Sequence, residues 1–175
     1  VVLGSPAAAA TPVPPGVSQA PVCANVATGF ARCHAHVVLV AGGVQPLSSS
    51  TPQGYSPSNL QSAYVLPSST AGSGQTVAIV DAYDDPNAEA DLGTYRFTFG
   101  LPPCTTANGC FRKVNQNGGT NYPRPNQGWA LEISLDVQIA HATCPNCKIL
   151  LVEASSNSFA NLLSAEDYAT AHANV

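Results

Sequence analysis

The chain has 175 residues, of which six are lysine or arginine and ten are aspartate or glutamate, so only 9% are charged and the net charge is −4. This balance excludes the basic surface that nucleic acids or anionic membrane surfaces require, and neither is expected as a partner. With 45% apolar residues, the composition excludes a disordered chain and allows one domain with a hydrophobic core.

The first 53 residues differ in composition from the rest. Residues 1–22 are rich in alanine, proline and valine, and they represent either a low-complexity arm or the remnant of a secretory signal that ends in an A-x-A run. Residues 23–53 form a small cysteine-containing segment, with a strand expected at 37–40. The sequence contains no methionine, so we expect a piece of a longer protein. No apolar run reaches the roughly 18 residues that a membrane-spanning helix needs.

Six cysteines occur as three pairs of near neighbours: Cys23 with Cys33, Cys104 with Cys110, and Cys144 with Cys147. Other pairings are open, but the cost of loop closure favours a disulfide within each pair. Disulfides and low charge together indicate an extracellular setting, and we predict a secreted protein. The C-x-x-C motif at 144–147 has two further interpretations. A zinc site would lack its second pair of ligands, and a redox centre is disfavoured because Cys144 follows a predicted helix and lies at its negative end.

The main domain is predicted to span residues 54–175. It begins with a short helix at 56–64, which Ser56 caps. A continuous apolar run at 76–80 predicts a buried parallel strand that ends at Asp81. Asp84 and Asp85 are expected to cap the next helix, which ends at Gly100.

The second half of the main domain repeats this order. A long polar stretch at 101–128 leads to an ambiguous element at 129–141, followed by a buried strand at 148–152 and a helix at 158–174. Alternating strands and helices predict an α/β fold in which helices flank a parallel sheet.

The element at 129–141 carries the main candidate site. Its apolar and polar residues alternate strictly, which favours a strand, whereas a helix of this composition would be apolar around much of its surface. On a strand, the Cα atoms of Glu132 and Asp136 would lie about 13 Å apart. On a helix, their Cβ atoms would approach to about 5–6 Å, so that the two carboxyl groups could share a proton. The proton-sharing role therefore requires the helix.

The run EISLD at residues 132–136 resembles the E-x-x-L-D motif of the sedolisins, the serine-carboxyl peptidases. The order of neighbouring segments is similar as well: an entry segment at 54–67, a first core strand at 74–83, and the C-x-x-C step at 144–147 into the next strand. The resemblance covers residues 54–175. It implies a subtilisin-like fold, of which this chain holds the N-terminal part.

The resemblance also implies a mechanism, in which a serine attacks the peptide bond, Glu132 is the general base and Asp136 is its hydrogen-bonding partner. The family's Ser-Gly-Thr-Ser motif is absent from the chain. We therefore expect the serine, the oxyanion-stabilising aspartate and a calcium loop beyond Val175, no cofactor within this segment, and no activity without the remainder of the catalytic domain. The implied function is a secreted, acid-active endopeptidase for protein or peptide substrates. The alternative is a catalytically inactive, disulfide-stapled extracellular binding module of the same fold.

The remaining polar candidates have simpler interpretations. Asp81 lies where subtilisins, the more distant relatives, keep their triad aspartate, but no His-Gly-Thr motif accompanies it, and it then only ends its strand. His34 and His36 are a potential metal pair without a third ligand, and we interpret them as surface residues. His141 and His172 fall near predicted helix C-termini, where the helix dipole favours a positive charge.

Overall fold

The computed structural model describes residues 18–39 and 54–173, and within these ranges the elements follow the order ββαβαβαβα. The strands are β1 (Ser18–Pro21), β2 (His36–Leu39), β3 (Thr76–Ala82), β4 (Phe111–Asn115) and β5 (Lys148–Ala154). The helices are α1 (Pro57–Ala63), α2 (Ala88–Phe99), α3 (Gln127–Thr143) and α4 (Phe159–His172). Val40, the last residue of the predicted N-terminal strand, lies outside the described residues.

A three-stranded parallel sheet in the order β3-β5-β4 forms the centre of the main domain. Helices α2 and α3 cover one face, where their apolar residues pack on β3 and β5 around Ile79 and Leu151. Helix α4 covers the other face, with Ala165 and Ala169 against Leu150. The predicted α/β class with a parallel sheet flanked by helices is confirmed.

The N-terminal residues form a separate antiparallel hairpin of β1 and β2, in which Ser18 pairs with Leu39 and Pro21 with His36. Strand β1 lies in the stretch that the sequence marks as an arm, and residues 1–17 lie outside the described part of the chain. Between the two strands, the chain docks on the main domain, where Cys33 is buried together with Ala82 and Trp129.

Local signals explain most helix boundaries. Ser56 accepts a hydrogen bond from the backbone N–H of Asn59 in a complete capping box at the start of α1. Ser158 caps α4 in the same way through Asn161. Gly100 ends α2 in the left-handed conformation, with φ of 66°, which glycine adopts without strain. These three predicted boundaries are confirmed.

Helix α3 resolves the ambiguous element in favour of a helix. The Asn126 side chain caps its first turn by accepting a hydrogen bond from the N–H of Trp129 at 3.1 Å. Ile133 and Val137 are fully buried against the sheet. The alternation in the sequence arises because a second set of apolar residues lies on another face of the helix and stays exposed: Leu131, Leu135 and Ile139.

Three predictions about the elements differ from the structure. Helix α2 begins after Asn87, not at Asp84, because the Asp84 side chain binds Lys113, whereas Asp85 Oδ1 accepts a hydrogen bond from the N–H of Asn87 just before the helix. Strand β4 lies inside the stretch at 101–128, which the sequence analysis treats as polar loop. Strand β3 also continues through Asp81 to Ala82, so Asp81 is a strand residue.

All six cysteines form disulfides, and the pairs are those that near neighbours predict: Cys23–Cys33, Cys104–Cys110 and Cys144–Cys147. In the described ranges, no helix combines the length and the hydropathy needed to cross a membrane.

Candidate active site

Two acidic residues meet at the carboxyl end of the parallel sheet. Asp81 of β3 lies directly opposite Glu153 of β5 in the strand register. Both side chains face the α2/α3 side, because residues two positions earlier belong to that core and side chains alternate along a strand. Asp81 is 3% exposed and Glu153 is 0% exposed. One oxygen of each, Asp81 Oδ2 and Glu153 Oε2, has no hydrogen-bond partner among the described residues.

Helix α3 brings Glu132 and Asp136, hereafter the acid pair, one turn apart on a single face. Both are half-buried. Burial raises the pKa of Asp136 above its usual value, and the nearby charge of Glu132 raises it further. The two carboxyl groups therefore interact electrostatically, as a shared proton requires. A direct hydrogen bond between them stays a prediction.

Glu132 has a backbone partner from the N-terminal segment. Its Oε2 atom accepts a hydrogen bond from the N–H of Ala35 at 2.5 Å. Ala35 is 3% exposed, whereas Glu132 is half-buried, so the hydrogen bond is partly buried. This contact fixes the position of the Glu132 carboxyl group relative to the N-terminal segment.

Asp81 is the third carboxyl group of the site. Burial, and then the charges of Asp136 and Glu132, raise its pKa from 3.8 to about 8. Asp81 is thus neutral at acidic pH, and it contributes no negative charge behind the acid pair there. The structure brings this residue together with the acid pair, although the sequence analysis considers it mainly as the end of a strand.

A second network surrounds Lys113 of β4. Its Nζ atom lies 2.5 Å from Asp84 Oδ1 and 3.4 Å from Glu153 Oε1. It also donates to the backbone carbonyl of Asp85 at 2.8 Å, and Glu153 Oε1 accepts from the N–H of Asp85 at 3.0 Å. We call these four residues the lysine network. It fixes the chain between β3 and α2 on the end of the sheet.

Burial and charge partners oppose each other in the pKa values of this network. It raises the pKa of Glu153 to about 8, against the opposing effects of the Asp85 N–H and the Lys113 charge. For Lys113, burial acts to lower the pKa, but the hydrogen bond to Asp84 and the charge of Glu153 reverse this and raise it. Lys113 therefore keeps its positive charge in a site with few other cations.

Ser134 lies within the EISLD run, but its hydroxyl forms structural hydrogen bonds on another side of α3. Residues two positions apart on a helix point about 200° apart, so Ser134 does not face Glu132. Its hydroxyl donates to Asp85 Oδ2 at 3.1 Å and to Asp91 Oδ2 at 3.4 Å. It joins α3 to α2 and is no candidate for the nucleophile.

The histidine and cysteine candidates do not join the acid pair. His34 and His36 are exposed on the N-terminal segment. Among the described residues, Cys104, Cys110 and His141 lie close enough to hold a metal, but the two sulfur atoms form a disulfide. The pair at 144–147 is likewise oxidised, so neither offers a thiolate to zinc.

His141 differs from its expected role as a charged residue at a helix end. It is fully buried, its Nε2 atom lies 3.0 Å from the carbonyl oxygen of Pro102, and burial lowers its pKa.

Three contributors to the site escape the sequence analysis: Lys113, Glu153 and Ala35. Glu153 directly follows the apolar run of a predicted buried strand, as Asp81 does, so the same sequence signal predicts its position at the end of the sheet. Lys113 belongs to the missed strand β4. Ala35 acts through its backbone N–H, for which a sequence carries no signal.

Comparison with known proteins gives one informative match. No family model matches the chain. Kumamolisin from Bacillus sp. (strain MN-32), a sedolisin, is 32% identical to the chain over 122 residues, and the match covers 67% of this chain and 20% of kumamolisin. The chain thus spans about a fifth of the length of this relative. The match shows a distant relationship to a sedolisin and a protease-like origin.

Proposed function

We propose that the chain forms part of a secreted, acid-active endopeptidase of the sedolisin type, with a subtilisin-like fold. The observation that carries the proposal is the acid pair: α3 sets Glu132 and Asp136 one turn apart, and the charge of Glu132 contributes to the raised pKa of Asp136. The distant relationship to kumamolisin supports the same function. The three disulfides support the extracellular location.

In the proposed mechanism, Glu132 takes the proton of a serine hydroxyl as the hydroxyl attacks the peptide carbonyl, and later returns it to the leaving amine. Asp136 holds the second position of the relay and stabilises the proton on Glu132. The serine, the oxyanion-stabilising aspartate and a calcium loop belong to parts of the catalytic domain outside these 175 residues. Asp81 is protonated in acid because its pKa is about 8, so it adds no third negative charge to the relay.

The use of carboxyl groups accounts for the proposed acid optimum. A histidine base has an ordinary pKa near 6.5, so at about pH 4 it would be protonated and unable to accept a proton. Carboxyl groups titrate near pH 4, and two in contact share one proton over a wider range. The acid pair therefore remains a working base where histidine does not.

The test is hydrolysis of an unfolded protein substrate at pH 4 by the full-length protein and by two variants. We expect Glu132→Gln to lower kcat/KM at least about 100-fold, because a general base contributes that much or more. Glu166→Gln is the matched control, since Glu166 is exposed on α4, and it should leave kcat/KM unchanged. Equal rates for wild type and Glu132→Gln would remove Glu132 as the base.

One observation favours a second candidate, the catalytically inactive binding module. The N–H of Ala35 already occupies Glu132 Oε2, so the chain itself fills one position on the proposed base. In an inactive relative this contact would be permanent, and hydrolysis at pH 4 would be absent from the full-length protein as well as from Glu132→Gln.

A further inference from the structure

A disulfide and a buried histidine meet at the end of α3 that lies away from the acid pair. Cys110 directly precedes β4, and His141 lies in the last turn of α3. A ring nitrogen of His141 and the sulfur atoms of Cys104 and Cys110 all lie within 4.8 Å of one another. We call these three residues the sulfur–histidine cluster. Cysteine sulfur and histidine nitrogen are the ligands that Zn²⁺ takes in most protein sites.

The hydrogen bonding of His141 is that of a metal-binding histidine. Its Nε2 atom lies 3.0 Å from the carbonyl oxygen of Pro102, which can only accept, so Nε2 carries a proton. In the neutral ring, this leaves a free lone pair on Nδ1. Nδ1 is buried and has no hydrogen-bond partner among the described residues. Histidines that bind a metal through one ring nitrogen commonly donate the other N–H to a backbone carbonyl in this way.

The loop between the two cysteines is held by hydrogen bonds of its own. Asn108 Oδ1 accepts from the backbone N–H groups of Thr105 and Cys110, both at 3.0 Å. Asn108 Nδ2 donates to the carbonyl of Pro103 at 2.9 Å. None of these bonds uses the disulfide, so we expect Cys104 and Cys110 to stay close together when the disulfide is reduced.

The surroundings of the cluster suit a zinc ion with three protein ligands. Cys104 and His141 are fully buried, whereas Cys110 is partly exposed, so water can reach the fourth position from that side. Ligand atoms around one tetrahedral zinc ion lie about 3.5 to 3.8 Å apart. The cluster allows this spacing once the bond between the two sulfur atoms is broken.

We propose that Cys104, Cys110 and His141 bind Zn²⁺ when the Cys104–Cys110 disulfide is reduced. The reductant is a dithiol, whose two thiols close to a disulfide and pass two electrons and two protons to the two cysteine sulfur atoms. Zn²⁺ then replaces these two protons, which go to the solvent, and binds both sulfur atoms and Nδ1 of His141. The inference goes beyond the proposed peptidase function and does not depend on it.

The site belongs to reducing surroundings near neutral pH, because the thiols must lose their protons to bind the metal. Such conditions hold inside a cell, before the disulfides of a secreted protein form. The disulfide joins two residues of one loop, whereas the zinc ion also attaches this loop to α3 through His141. Zinc thus holds the loop against the helix in the reduced chain.

The test measures the Zn²⁺ affinity of the full-length protein at pH 7, in competition with a chromogenic chelator. The protein is reduced with dithiothreitol under anaerobic conditions, and the reductant is then removed. We expect reduced wild type to bind Zn²⁺ at least about 100-fold more tightly than oxidised wild type, because only the reduced protein offers two thiolates. The double variant Cys104→Ser with Cys110→Ser should lose this gain.

The matched control is Cys144→Ser with Cys147→Ser, which removes the neighbouring disulfide and keeps the cluster. After reduction, it should bind Zn²⁺ as tightly as reduced wild type. Equal affinity of reduced wild type and the reduced Cys104→Ser, Cys110→Ser variant would overturn the site. So would a loss of affinity in the control variant alone.

Two measurements on wild type keep the test independent of how the variants fold. Mass spectrometry should show that Zn²⁺ makes the reduced Cys104 and Cys110 lose their reactivity towards an alkylating reagent. Nitrogen NMR of the imidazole should show a shift of the His141 Nδ1 resonance when Zn²⁺ is added to the reduced protein. Unprotected cysteines, or an unchanged Nδ1 resonance in the zinc-loaded protein, would contradict the proposal. None of these readouts involves hydrolysis, so their outcome and that of the peptidase test are separate.

Discussion

At the scale of single residues, the interaction within the acid pair is directly measurable in the 175-residue chain. Burial accounts for most of the rise in the pKa of Asp136, and the charge of Glu132 for the remainder. Glu132→Gln removes the charge and leaves the burial, so we expect the pKa of Asp136 to fall towards its usual value without reaching it. Carboxyl carbon NMR against pH measures this shift.

The control for that titration is Glu166→Gln, which neutralises an exposed carboxyl group of α4. It should leave the pKa of Asp136 where it is. If Glu132→Gln also leaves it unchanged, the two carboxyl groups do not interact, and the shared proton is excluded.

Asp81 predicts an unusual dependence of stability on pH. Its pKa rises from 3.8 to about 8 on folding, so between these values the folded state binds a proton that the unfolded state has lost. The contribution of Asp81 to the free energy of unfolding is fully present below pH 3.8, and it is lost as the pH rises towards 8. Asp81→Asn removes this loss. Relative to wild type, the free energy of unfolding of the variant should therefore increase with pH, with a slope approaching about 1.4 kcal/mol per pH unit.

Urea unfolding of both proteins at several pH values from 4 to 8 measures this difference. Asp167→Asn, an exposed carboxyl group on α4, serves as the control and should show no such slope. A difference between Asp81→Asn and wild type that stays constant from pH 4 to pH 8 would mean that Asp81 is ionised in the folded protein.

At the scale of elements, β4 connects to the site through one residue. The Lys113 side chain is 14% exposed and Glu153 is fully buried. Lys113→Met keeps much of the side-chain volume but leaves the buried carboxylate of Asp84 without its cation. We expect it to lower the free energy of unfolding by about 3 kcal/mol, as removal of one member of a buried ion pair does.

Lys148→Met is the comparison for that experiment, because Lys148 begins β5 at an exposed position. Its effect on urea unfolding at pH 7 should stay within about 0.5 kcal/mol. Similar losses for the two variants would show that the lysine network contributes nothing specific to stability.

The elements differ in how far the sequence determines them. Strands β3 and β5 are continuous apolar runs, and α1 and α4 carry serine caps, so their local signals agree with their tertiary positions. Strand β4 was missed because it is a five-residue edge strand in which only Phe111 and Val114 are buried. Helix α2 begins later than predicted because Asp84 binds Lys113, a residue 29 positions away.

The residues of the candidate site also differ in how far the sequence predicts their positions. Glu132 and Asp136 were predictable as a pair because their spacing brings them together on any helix, and the structure confirms the helix. The pattern alone favours a strand, since Leu131 and Leu135 are apolar yet exposed. The role of Glu153 depends on which strands are neighbours, and the role of Ala35 depends on where the N-terminal segment docks. Both are features of the tertiary structure.

At the scale of the whole molecule, the fold concentrates acidic groups where the parallel strands end. Asp81 and Glu153 come from neighbouring strands, the acid pair comes from the helix packed on them, and the N-terminal segment contacts Glu132 of the pair. Ligand sites in open α/β sheets form at this edge. The distribution of charge thus agrees with a catalytic role, although only 9% of the residues are charged.

The pH dependence of kcat/KM for the full-length protein tests the central claim, that carboxyl groups supply the base. This profile reports the titration of the free enzyme's catalytic groups. We expect hydrolysis of a peptide substrate to persist at pH 4 and to be lost at lower pH, with a midpoint in the carboxyl range, at roughly 4 or below. A midpoint near pH 6.5, the ordinary value for histidine, would contradict it.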